Sequence, residues 1–350
     1  MRANHPSAPL FKRLRYALEA AAFRFCTCII SRLPYRAILI LAKAGGFCAY
    51  HLATRPRRIA LANLDVAFGN TKSPTEKKEI ARRSMQNFAT TMLSLMWTKR
   101  RALEKLNQVV EIAAEDLARA REVLSRGRGV VCVTLHYGNW ELLALAAGAQ
   151  GFPLHIVTET LRNRSLENQV TQLRSSTGNR IVPQQGAVKK LLRVLRKGEA
   201  VALIIDQNPP EEGGGEWLEF FGLPAFSNVA AAALALRTGA PVFACHAVPL
   251  PNGRIKIAYG PEIPYTPTGN NDTDQKRLSQ QCLRHFEELI RQRPELWLWC
   301  YKRWKHRRDA DDSRYPFYTS PAVLTLPRRP VHQTNTAHNN SVASNTQPYL

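Results

Sequence analysis

The sequence predicts an α/β fold in which a mainly parallel central sheet is flanked by helices. Apolar, β-branched runs such as residues 129–135 are typical of strands that are buried on both faces of a sheet. These runs alternate along the chain with segments of helical periodicity, which indicates crossover connections between parallel strands. The chain has 350 residues, of which 45% are hydrophobic, so it is long enough to bury a sizeable core.

The helices and strands are predicted from the periodicity of apolar residues and from the residues that begin and end each element. Residues 57–104 and 113–125 have helical periodicity, and Ser73, Pro74 and Glu76 form the signature of a helix start with a capping box. Strands are predicted at 129–135, 154–157, 180–182, 200–205 and 241–248, with 254–259 as an edge strand. Helices are predicted between and after them at 142–149, 165–174, 188–196, 229–238 and 275–293.

The charge of the chain is extreme and uneven. Lys and Arg number 49 against 27 Asp and Glu, a net charge of +22, which indicates an anionic partner: nucleic acid, anionic lipid, or a phosphorylated or carrier-bound substrate. Residues 1–58 contain eleven basic residues and one acid. Residues 309–350 have no net charge and are rich in Asn, Thr, Ser and Pro, so we expect a disordered tail there.

The N-terminal segment is both basic and apolar. Its apolar stretch, Leu33 to Leu52, is interrupted by Arg36 and Lys43. The uninterrupted apolar runs on either side of these charges are well short of the roughly 20 apolar residues of a spanning helix. We expect no cleaved signal peptide, because the segment shows no apolar core followed by a small-residue cleavage site. We predict that residues 1–56 form a basic amphipathic segment that associates with a membrane surface, followed by a folded domain at 57–308. A soluble packing helix and a tilted spanning helix are the alternatives.

The cysteines and histidines do not indicate a metal centre. The seven Cys contain no CxxC pair, and the nine His are scattered without an HExxH motif. An odd number of scattered thiols fits a reducing compartment better than a disulfide framework.

The segment His136-Tyr137-Gly138-Asn139-Trp140-Glu141 is the most informative one for chemistry, because it follows a buried strand and opens a helix. On one continuous helix His136 and Glu141 would diverge by about 140°. They converge only if His136 lies in the turn and Glu141 in the first helical turn. A histidine at that position can act as a general base near neutral pH. Asp206 ends another buried strand and is expected on the same rim, although a loop histidine and a turn-forming aspartate are the ordinary alternatives.

Six segments together resemble a known family. They are HYGNWE at 136–141, DQNPP at 206–210, GGGEWLEFFG at 213–222, RTGAP at 237–241, PELWLW at 294–299 and RWK at 303–305. In this order they resemble the late acyltransferases of lipid A biosynthesis, the lauroyl/myristoyl transferases of the lysophospholipid acyltransferase superfamily. The resemblance runs from about Leu33 to Arg308. It implies a lysophospholipid acyltransferase-like fold and an acyltransferase domain at 57–308.

The resemblance also implies a reaction. The acyl group would come from a thioester of acyl-carrier protein or coenzyme A, as co-substrate rather than cofactor, and pass to a hydroxyl of a lipid A precursor or related glycolipid. His136 would deprotonate the acceptor, Glu141 would support the histidine or the acceptor, and Asp206 would orient His136. The expected substrate-binding residues are Arg162, Arg164, Arg174, Asn139 and Gln207.

Two parts of this site stay open at the level of sequence. The tetrahedral oxyanion needs donors, for which Arg174, Arg162 and backbone N–H groups near Gly138 are the choices. An acyl groove could be lined by aromatic residues, namely Trp217, Phe220, Phe221, Phe226, Trp297 and Trp299, which are equally typical of a core.

The resemblance implies acyl-carrier protein, an anionic membrane lipid and a phosphorylated lipid acceptor as partners, at the cytoplasmic face of the inner membrane. No nucleic acid is expected. The alternatives are an acyltransferase for mannosylated or ornithine-type lipids, a hydrolase that uses water as acceptor, and a nucleic-acid-binding protein. The last is motivated by the pI of about 10.1 and by Tyr301 and Trp304 among basic residues.

Overall fold

The computed structural model describes residues 10–209, 214–309 and 312–321. Its strands are β1 Val110–Ile112, β2 Val130–Thr134, β3 Leu154–Thr158, β4 Arg180–Pro183, β5 Ala200–Ile204, β6 Glu216–Phe220, β7 Leu223–Ser227, β8 Val242–Pro249, β9 Ile255–Glu262, β10 His306–Arg307 and β11 Ser320–Pro321. Seven of them form one central sheet in the order β1-β9-β8-β2-β5-β3-β4. The β6–β7 hairpin and the β10–β11 pair lie outside this sheet.

The central sheet is mainly parallel, as predicted. All neighbouring strands run parallel except β8 and β9, which pair antiparallel through a short turn at residues 250–254. The prediction that residues 254–259 form an edge strand is wrong, because β1 pairs with the far side of β9, starting at Val110 opposite Ile255. A strand of three residues is too short to give a period-2 signal.

The helices are α1 Leu10–Ile30, α2 Tyr35–Leu52, α3 Thr54–Phe68, α4 Pro74–Trp97, α5 Ala102–Val109, α6 Ala114–Ser125, α7 Trp140–Ala149, α8 Arg164–Arg174, α9 Ala187–Arg196, α10 Ala230–Thr238 and α11 Asn271–Gln292. The capping box predicted at the start of α4 is present. The Ser73 hydroxyl accepts from the Glu76 N–H at 3.2 Å, and the Glu76 carboxylate accepts from the Ser73 N–H at 2.8 Å.

Helices cover both faces of the sheet. Val131 and Val133 of β2 belong to the same apolar cluster as residues of α9, α10 and α11. Val130 and Cys132 point to the opposite face, where they meet residues of α5, α6 and α7. Because β2 is buried on both sides, its carboxyl end opens onto a rim with helices on either flank.

The N-terminal helices pack onto the rest of the domain. Ile38 of α2 is fully buried, and a Cβ at Gly46 would lie 2.4 Å from the Gln86 backbone of α4, so the two helices are in close contact. Helix α3 runs through the domain boundary predicted at residue 56. Within the described residues no single helix is long and apolar enough to cross a bilayer; α2 and residues 54–71, bent by 90°, meet that criterion only as a pair.

The segment after residue 309 differs in part from the predicted disordered tail. Residues 312–321 are ordered against the hairpin: the Tyr315 hydroxyl donates to Pro224 O at 2.8 Å, and β11 pairs with β10. Residues 322–350 of that tail lie outside the described residues.

Candidate active site

The turn that leads from β2 into α7 is tightly packed and requires glycine at position 138. Gly138 has φ +60°, and a Cβ there would lie 1.6 Å from the Ala247 carbonyl oxygen of β8. The Gly138 N–H donates to Leu296 O at 2.9 Å, and the Leu298 N–H donates to His136 O at 3.0 Å. The turn is thus fixed between β8 and the segment at 294–299, so the backbone of His136 has one defined position.

His136 and Asp206 form a hydrogen-bonded pair at this rim. Thr134 lies opposite Ile204 in the β2–β5 register, so the residues two positions beyond each strand are neighbours. His136 Nδ1 is 2.9 Å from Asp206 Oδ1, and the His136 N–H donates to Asp206 Oδ2 at 3.0 Å. A carboxylate only accepts, so in the neutral imidazole Nδ1 carries the proton and Nε2 keeps its lone pair. Within the described residues Nε2 has no hydrogen-bond partner, and the ring is 19% exposed.

Asp206 is held as a buried anion. Its side chain is only 3% exposed. Burial raises the pKa of this carboxyl, but His136 and the hydrogen bonds from His136 and the Trp297 indole outweigh that effect, so the pKa lies below its ordinary value. An ionised Asp206 accepts from His136 Nδ1 and keeps the imidazole oriented.

Glu141 pairs with Arg174. Arg174 Nε is 3.0 Å from Glu141 Oε2, and Nη2 is 2.5 Å from Oε1. The pKa of Arg174 is raised because attraction to Glu141 outweighs the opposing effect of burial. Both oxygens of the Glu141 carboxylate therefore accept from Arg174 of α8. In the part of the chain that the structure describes, no hydrogen bond joins this carboxylate to His136. Arg174 Nη1 has no partner among those residues.

An apolar groove lies beside the Glu141–Arg174 pair, and we call the end lined by Glu141, Thr158 and Arg174 its mouth. The Trp140 ring meets the His136 ring edge to face at 5.1 Å between centroids, and both Trp140 and Glu141 line the groove. The groove has a cavity volume of about 120 Å³. It lies between α6, α7, α8 and five adjacent strands, and its lining is almost entirely apolar apart from Arg119, Thr134, Glu141, Thr158, Arg174, Tyr259 and two cysteines.

The groove follows the length of α7. Trp140, Leu143, Ala144 and Ala147 line it, which is one face of the helix from its first turn to its last. Ten residues of helix span about 15 Å at 1.5 Å per residue. The aromatic residues that were expected to line a groove are not part of it. All six are placed elsewhere: Phe220, Phe221, Trp297 and Trp299 lie in the core on the other face of the sheet, and Trp217 and Phe226 pair on the hairpin.

The other predicted substrate-binding residues are distributed around the rim. Asn139 is buried and caps α7, because its side chain accepts from the Leu142 N–H at 3.1 Å. Gln207 follows Asp206 and is half-buried. Arg162 is exposed in the loop before α8, and Arg164 is exposed as the first residue of α8. The backbone N–H groups of Gly138 and Asn139 are already bonded to Leu296 O and Ala247 O, so they are not free to bind an oxyanion.

The contacts of two residues at the site were not predicted. The Trp297 indole N–H donates to Asp206 Oδ2 at 2.7 Å. Arg303 is completely buried behind the site, where it donates to Phe226 O at 2.9 Å and to the Ser227 hydroxyl at 2.5 Å. Burial lowers the pKa of Arg303 to about 10, and Asp206 opposes that shift. Both residues belong to segments that the sequence singled out, but nothing local in those segments indicates their partners.

Comparison with known proteins extends over most of the chain. Residues 5–306 match the family described as bacterial lipid A biosynthesis acyltransferase. The lipid A biosynthesis palmitoleoyltransferase of Escherichia coli (strain K12) is 24% identical over 290 residues, which are 81% of this chain and 90% of that protein. Lipid A biosynthesis acyltransferase 2 of Shigella flexneri is 23% identical over 300 residues, 79% of this chain and 86% of that protein.

A second kind of relative matches a shorter stretch. The phosphatidylinositol mannoside acyltransferase of Mycolicibacterium smegmatis (strain ATCC 700084 / mc(2)155) is 27% identical over 135 residues, 37% of this chain and 44% of that protein. The lipid A relatives and the mannoside relative are all named as enzymes that transfer acyl groups. The chain is therefore an acyltransferase, and it belongs to the bacterial lipid A biosynthesis acyltransferase family.

Proposed function

We propose that the chain transfers a fatty acyl group from a thioester of acyl-carrier protein or coenzyme A to a hydroxyl of a lipid A precursor or related glycolipid. The observation that carries this proposal is the His136–Asp206 pair, which leaves Nε2 unpartnered beside the mouth of an apolar groove. The general base and the space for an acyl chain then lie on the two sides of one indole ring, that of Trp140.

The acceptor hydroxyl gives its proton to His136 Nε2 as its oxygen attacks the thioester carbonyl carbon. The C–O bond forms, and the carbonyl oxygen becomes an oxyanion. When the tetrahedral intermediate collapses, the C–S bond breaks and the thiolate takes the proton back from the imidazolium. Asp206 stabilises the positive charge on His136 during this interval, and no enzyme nucleophile is required.

Arg174 is the favoured donor to the oxyanion. Its Nε and Nη2 are engaged by Glu141, which holds the guanidinium in one orientation at the groove mouth. Nη1 remains for the substrate oxygen. In this arrangement Glu141 acts by positioning Arg174, and Arg162 is too exposed to provide a fixed donor.

The acyl chain would lie in the groove under α7. Its lining offers a chain almost nothing to hydrogen-bond, and burial of each methylene contributes about 0.8 kcal/mol. The thioester carbonyl would then rest near Glu141 and Arg174, which are polar residues of the lining.

The lipid acceptor would approach from the side of α1. The Asn163 amide donates to Tyr16 O at 2.9 Å, which joins the loop that carries Arg162 and Arg164 to α1. Helix α1 exposes a set of large apolar side chains, namely Leu10, Phe11, Leu14, Leu18, Phe25 and Ile29. Exposed basic residues on the same helix complement anionic lipid headgroups. These features support attachment of α1 to an anionic membrane surface, with Arg162 and Arg164 facing the phosphates of a lipid acceptor.

The thioester donor would approach from the other flank of the rim. The Gln184 N–H donates to Thr158 O at 2.9 Å, and Thr158 lines the groove, so the start of α9 lies close to its mouth. Helix α9 exposes four cations that form no ion pair within the described residues, namely Lys189, Lys190, Arg193 and Arg196. This surface complements an acidic protein such as acyl-carrier protein.

The similarity to a phosphatidylinositol mannoside acyltransferase supports a second class of acceptor, an inositol-type or other membrane glycolipid. A basic nucleic-acid-binding protein is the alternative outside acyl transfer. It gives no role to the His136–Asp206 pair or to the groove.

The proposal is tested by measuring acyl transfer from acyl-carrier protein and coenzyme A thioesters to a purified lipid A precursor. We expect His136→Ala to reduce turnover by about 10²–10⁴-fold. Exposed His51 on α2 provides the matched control, and His51→Ala should retain activity. Mass spectrometry of lipids from cells with and without the protein would identify the acceptor. Normal turnover by the folded His136→Ala variant would overturn the assignment.

A further inference from the structure

Arg303 is a buried charge whose hydrogen-bond partners in the described structure are neutral. It is 0% exposed, and its guanidinium donates to Phe226 O at 2.9 Å and to the Ser227 hydroxyl. Its Nε has no hydrogen-bond partner among the described residues, and no carboxylate forms an ion pair with it in that part of the chain. Arginine is almost never fully buried without a paired charge, so this side chain requires an anion elsewhere in its surroundings.

Asp206 is the anion that compensates this cation. Burial lowers the pKa of Arg303 to about 10, and attraction to Asp206 is the largest of the effects that oppose it, ahead of those of Tyr301 and Tyr318. A pKa near this value leaves the guanidinium charged at neutral pH. Asp206 itself is only 3% exposed. Two opposite charges that are both withdrawn from water act on each other beyond hydrogen-bond distance, because little solvent screens them.

The loop after β5 is bonded directly to the segment that carries Arg303. The Asn208 N–H donates to the Tyr301 hydroxyl at 3.1 Å, and the Asn208 amide donates to the same hydroxyl and to Lys302 O, both at 3.0 Å. Asn208 is two residues after Asp206, and Lys302 immediately precedes Arg303. These bonds hold the two charged side chains on neighbouring, fixed stretches of backbone.

The side chain of Arg303 is also fixed by the aromatic core. Its guanidinium carbon lies 5.3 Å from the centroid of the Phe220 ring, which packs against the Trp297 ring. Trp297 in turn donates to Asp206 Oδ2. Contacts between packed rings and one hydrogen bond thus connect the cation to the carboxylate, and neither buried side chain has room to move away.

We infer that Arg303 is a positioning residue for acyl transfer, whose buried charge keeps Asp206 ionised and limits how strongly Asp206 holds a proton on His136. This inference rests on the proposed function, because it takes His136 as the base. The groups that face the Asp206 carboxylate within the described residues are the His136 imidazole, the Trp297 indole and the Arg303 guanidinium. A cation beside the carboxylate weakens the attraction of that carboxylate for an imidazolium, so the neutral imidazole that can accept a proton persists to lower pH.

The test is the pH dependence of kcat/KM for acyl transfer from a carrier-protein thioester to a purified lipid A precursor. Arg303→Met and Arg303→Gln remove the charge, and the Gln side chain keeps N–H donors for the two neutral acceptors. In both variants the acid limb of the profile should move to higher pH by about 0.5–1 pH unit, because the imidazolium is then favoured. Arg303→Lys keeps the charge, and its acid limb should stay near that of the wild type.

Two control variants separate the charge of Arg303 from its packing and from the net charge of the protein. Ser227→Ala removes a hydrogen bond of Arg303 but leaves its charge, and Arg284→Met removes an exposed charge on α11. Neither should move the acid limb. An acid limb at the wild-type position in folded Arg303→Met and Arg303→Gln would overturn the inference. An equal displacement in Ser227→Ala would also overturn it, since packing would then explain the effect.

A measurement without substrate separates this inference from the proposed function. In nuclear magnetic resonance spectra of protein with isotope-labelled histidine, the His136 ring signal is identified by its loss in His136→Ala. Its titration midpoint should rise by about 0.5–1 pH unit in Arg303→Gln whether or not transfer occurs. A displaced midpoint without any transfer would leave the charge pair intact and refute the reaction. Transfer with an unchanged midpoint would refute the role of Arg303.

Discussion

The Trp297 indole nitrogen lies 2.7 Å from Asp206 Oδ2, the oxygen that also accepts the backbone N–H of His136. Trp297 is 91 residues away in sequence and almost completely buried. Its ring lies against Phe220 and Trp299, with centroids 5.4 and 4.6 Å away. The aromatic core of the domain thus positions the carboxylate that orients the proposed base.

The first prediction concerns this indole. Trp297→Phe keeps an aromatic ring in the core but removes a hydrogen bond to a charged acceptor, which is worth about 1.5–3 kcal/mol. We expect kcat to fall by about 10–100-fold, with KM nearly unchanged, since Trp297 acts through Asp206 and does not touch substrate. Steady-state kinetics of the purified variant measure both parameters.

The control for that prediction is Trp299→Phe. The Trp299 indole donates to Pro294 O at 2.7 Å, away from Asp206. If both variants lost kcat equally, the effect would come from packing rather than from the hydrogen bond.

The second prediction concerns the Glu141–Arg174 pair. Both groups are largely withdrawn from water, and loss of one partner leaves a buried charge uncompensated, which costs about 3–5 kcal/mol. We expect Glu141→Ala to lower the free energy of unfolding by an amount in this range and also to reduce turnover, because Arg174 loses its fixed orientation. Urea titration and acyl-transfer assays measure the two effects.

The double variant Glu141→Ala/Arg174→Ala provides the control. It should recover part of the lost stability, because no isolated charge remains, but it should not recover turnover. Recovery of turnover in the double variant would contradict the role of Arg174 at the oxyanion.

The third prediction is a pH dependence of stability. His246 on β8 has a pKa lowered to about 4 by burial, with smaller contributions from His285 and Lys256. Because the unfolded chain binds a proton near pH 6.5 and the folded chain near 4, stability should fall as the pH drops through this window. A shift of this size corresponds to about 3 kcal/mol. Above pH 6.5 the contribution is fully present.

His246→Gln should flatten this part of the profile, and the exposed His51→Gln variant should not. Denaturant unfolding at several pH values between 7.5 and 4.5 measures the slope. An equal slope in wild type and His246→Gln would show that other groups control acid sensitivity.

Most of the sheet could be predicted because β2, β3, β4, β5 and β8 each carry their own local signal, a short apolar run followed by turn residues. The shared rim of His136 and Asp206 followed from the same pattern, since each residue lies two positions beyond a parallel strand in matching register. The hairpin at 216–227 and the three-residue β1 depend on pairing with distant segments, and no local period marks them.

The partners within the site were harder to predict. Glu141 is bonded to Arg174 and Asp206 to Trp297, pairs that only the assembled fold brings together. The residues that line the groove could not be predicted for a related reason. Its lining comes from five strands and three helices, and each lining residue by itself resembles an ordinary core residue.

The last prediction concerns attachment to membranes. Removal of residues 1–55 would also remove Ile38, which is fully buried, and the Leu33 carbonyl that accepts from the Trp97 indole at 2.9 Å. Truncation would therefore expose the core, and substitution on the surface of α1 is the sharper test. We expect a variant with Phe11, Leu14, Leu18 and Phe25 all changed to Ser to fold normally, because these side chains are exposed.

That variant should lose most of its co-sedimentation with vesicles of anionic phospholipid, since it loses the apolar area that would enter the interface. The matched control changes two exposed apolar residues elsewhere, Leu103 and Phe317, to Ser and should bind as the wild type does. Binding of the wild type should also weaken as salt is raised, because exposed cations on α1 and α2 supply part of the attraction. Undiminished binding of the α1 variant would assign membrane attachment to a different surface.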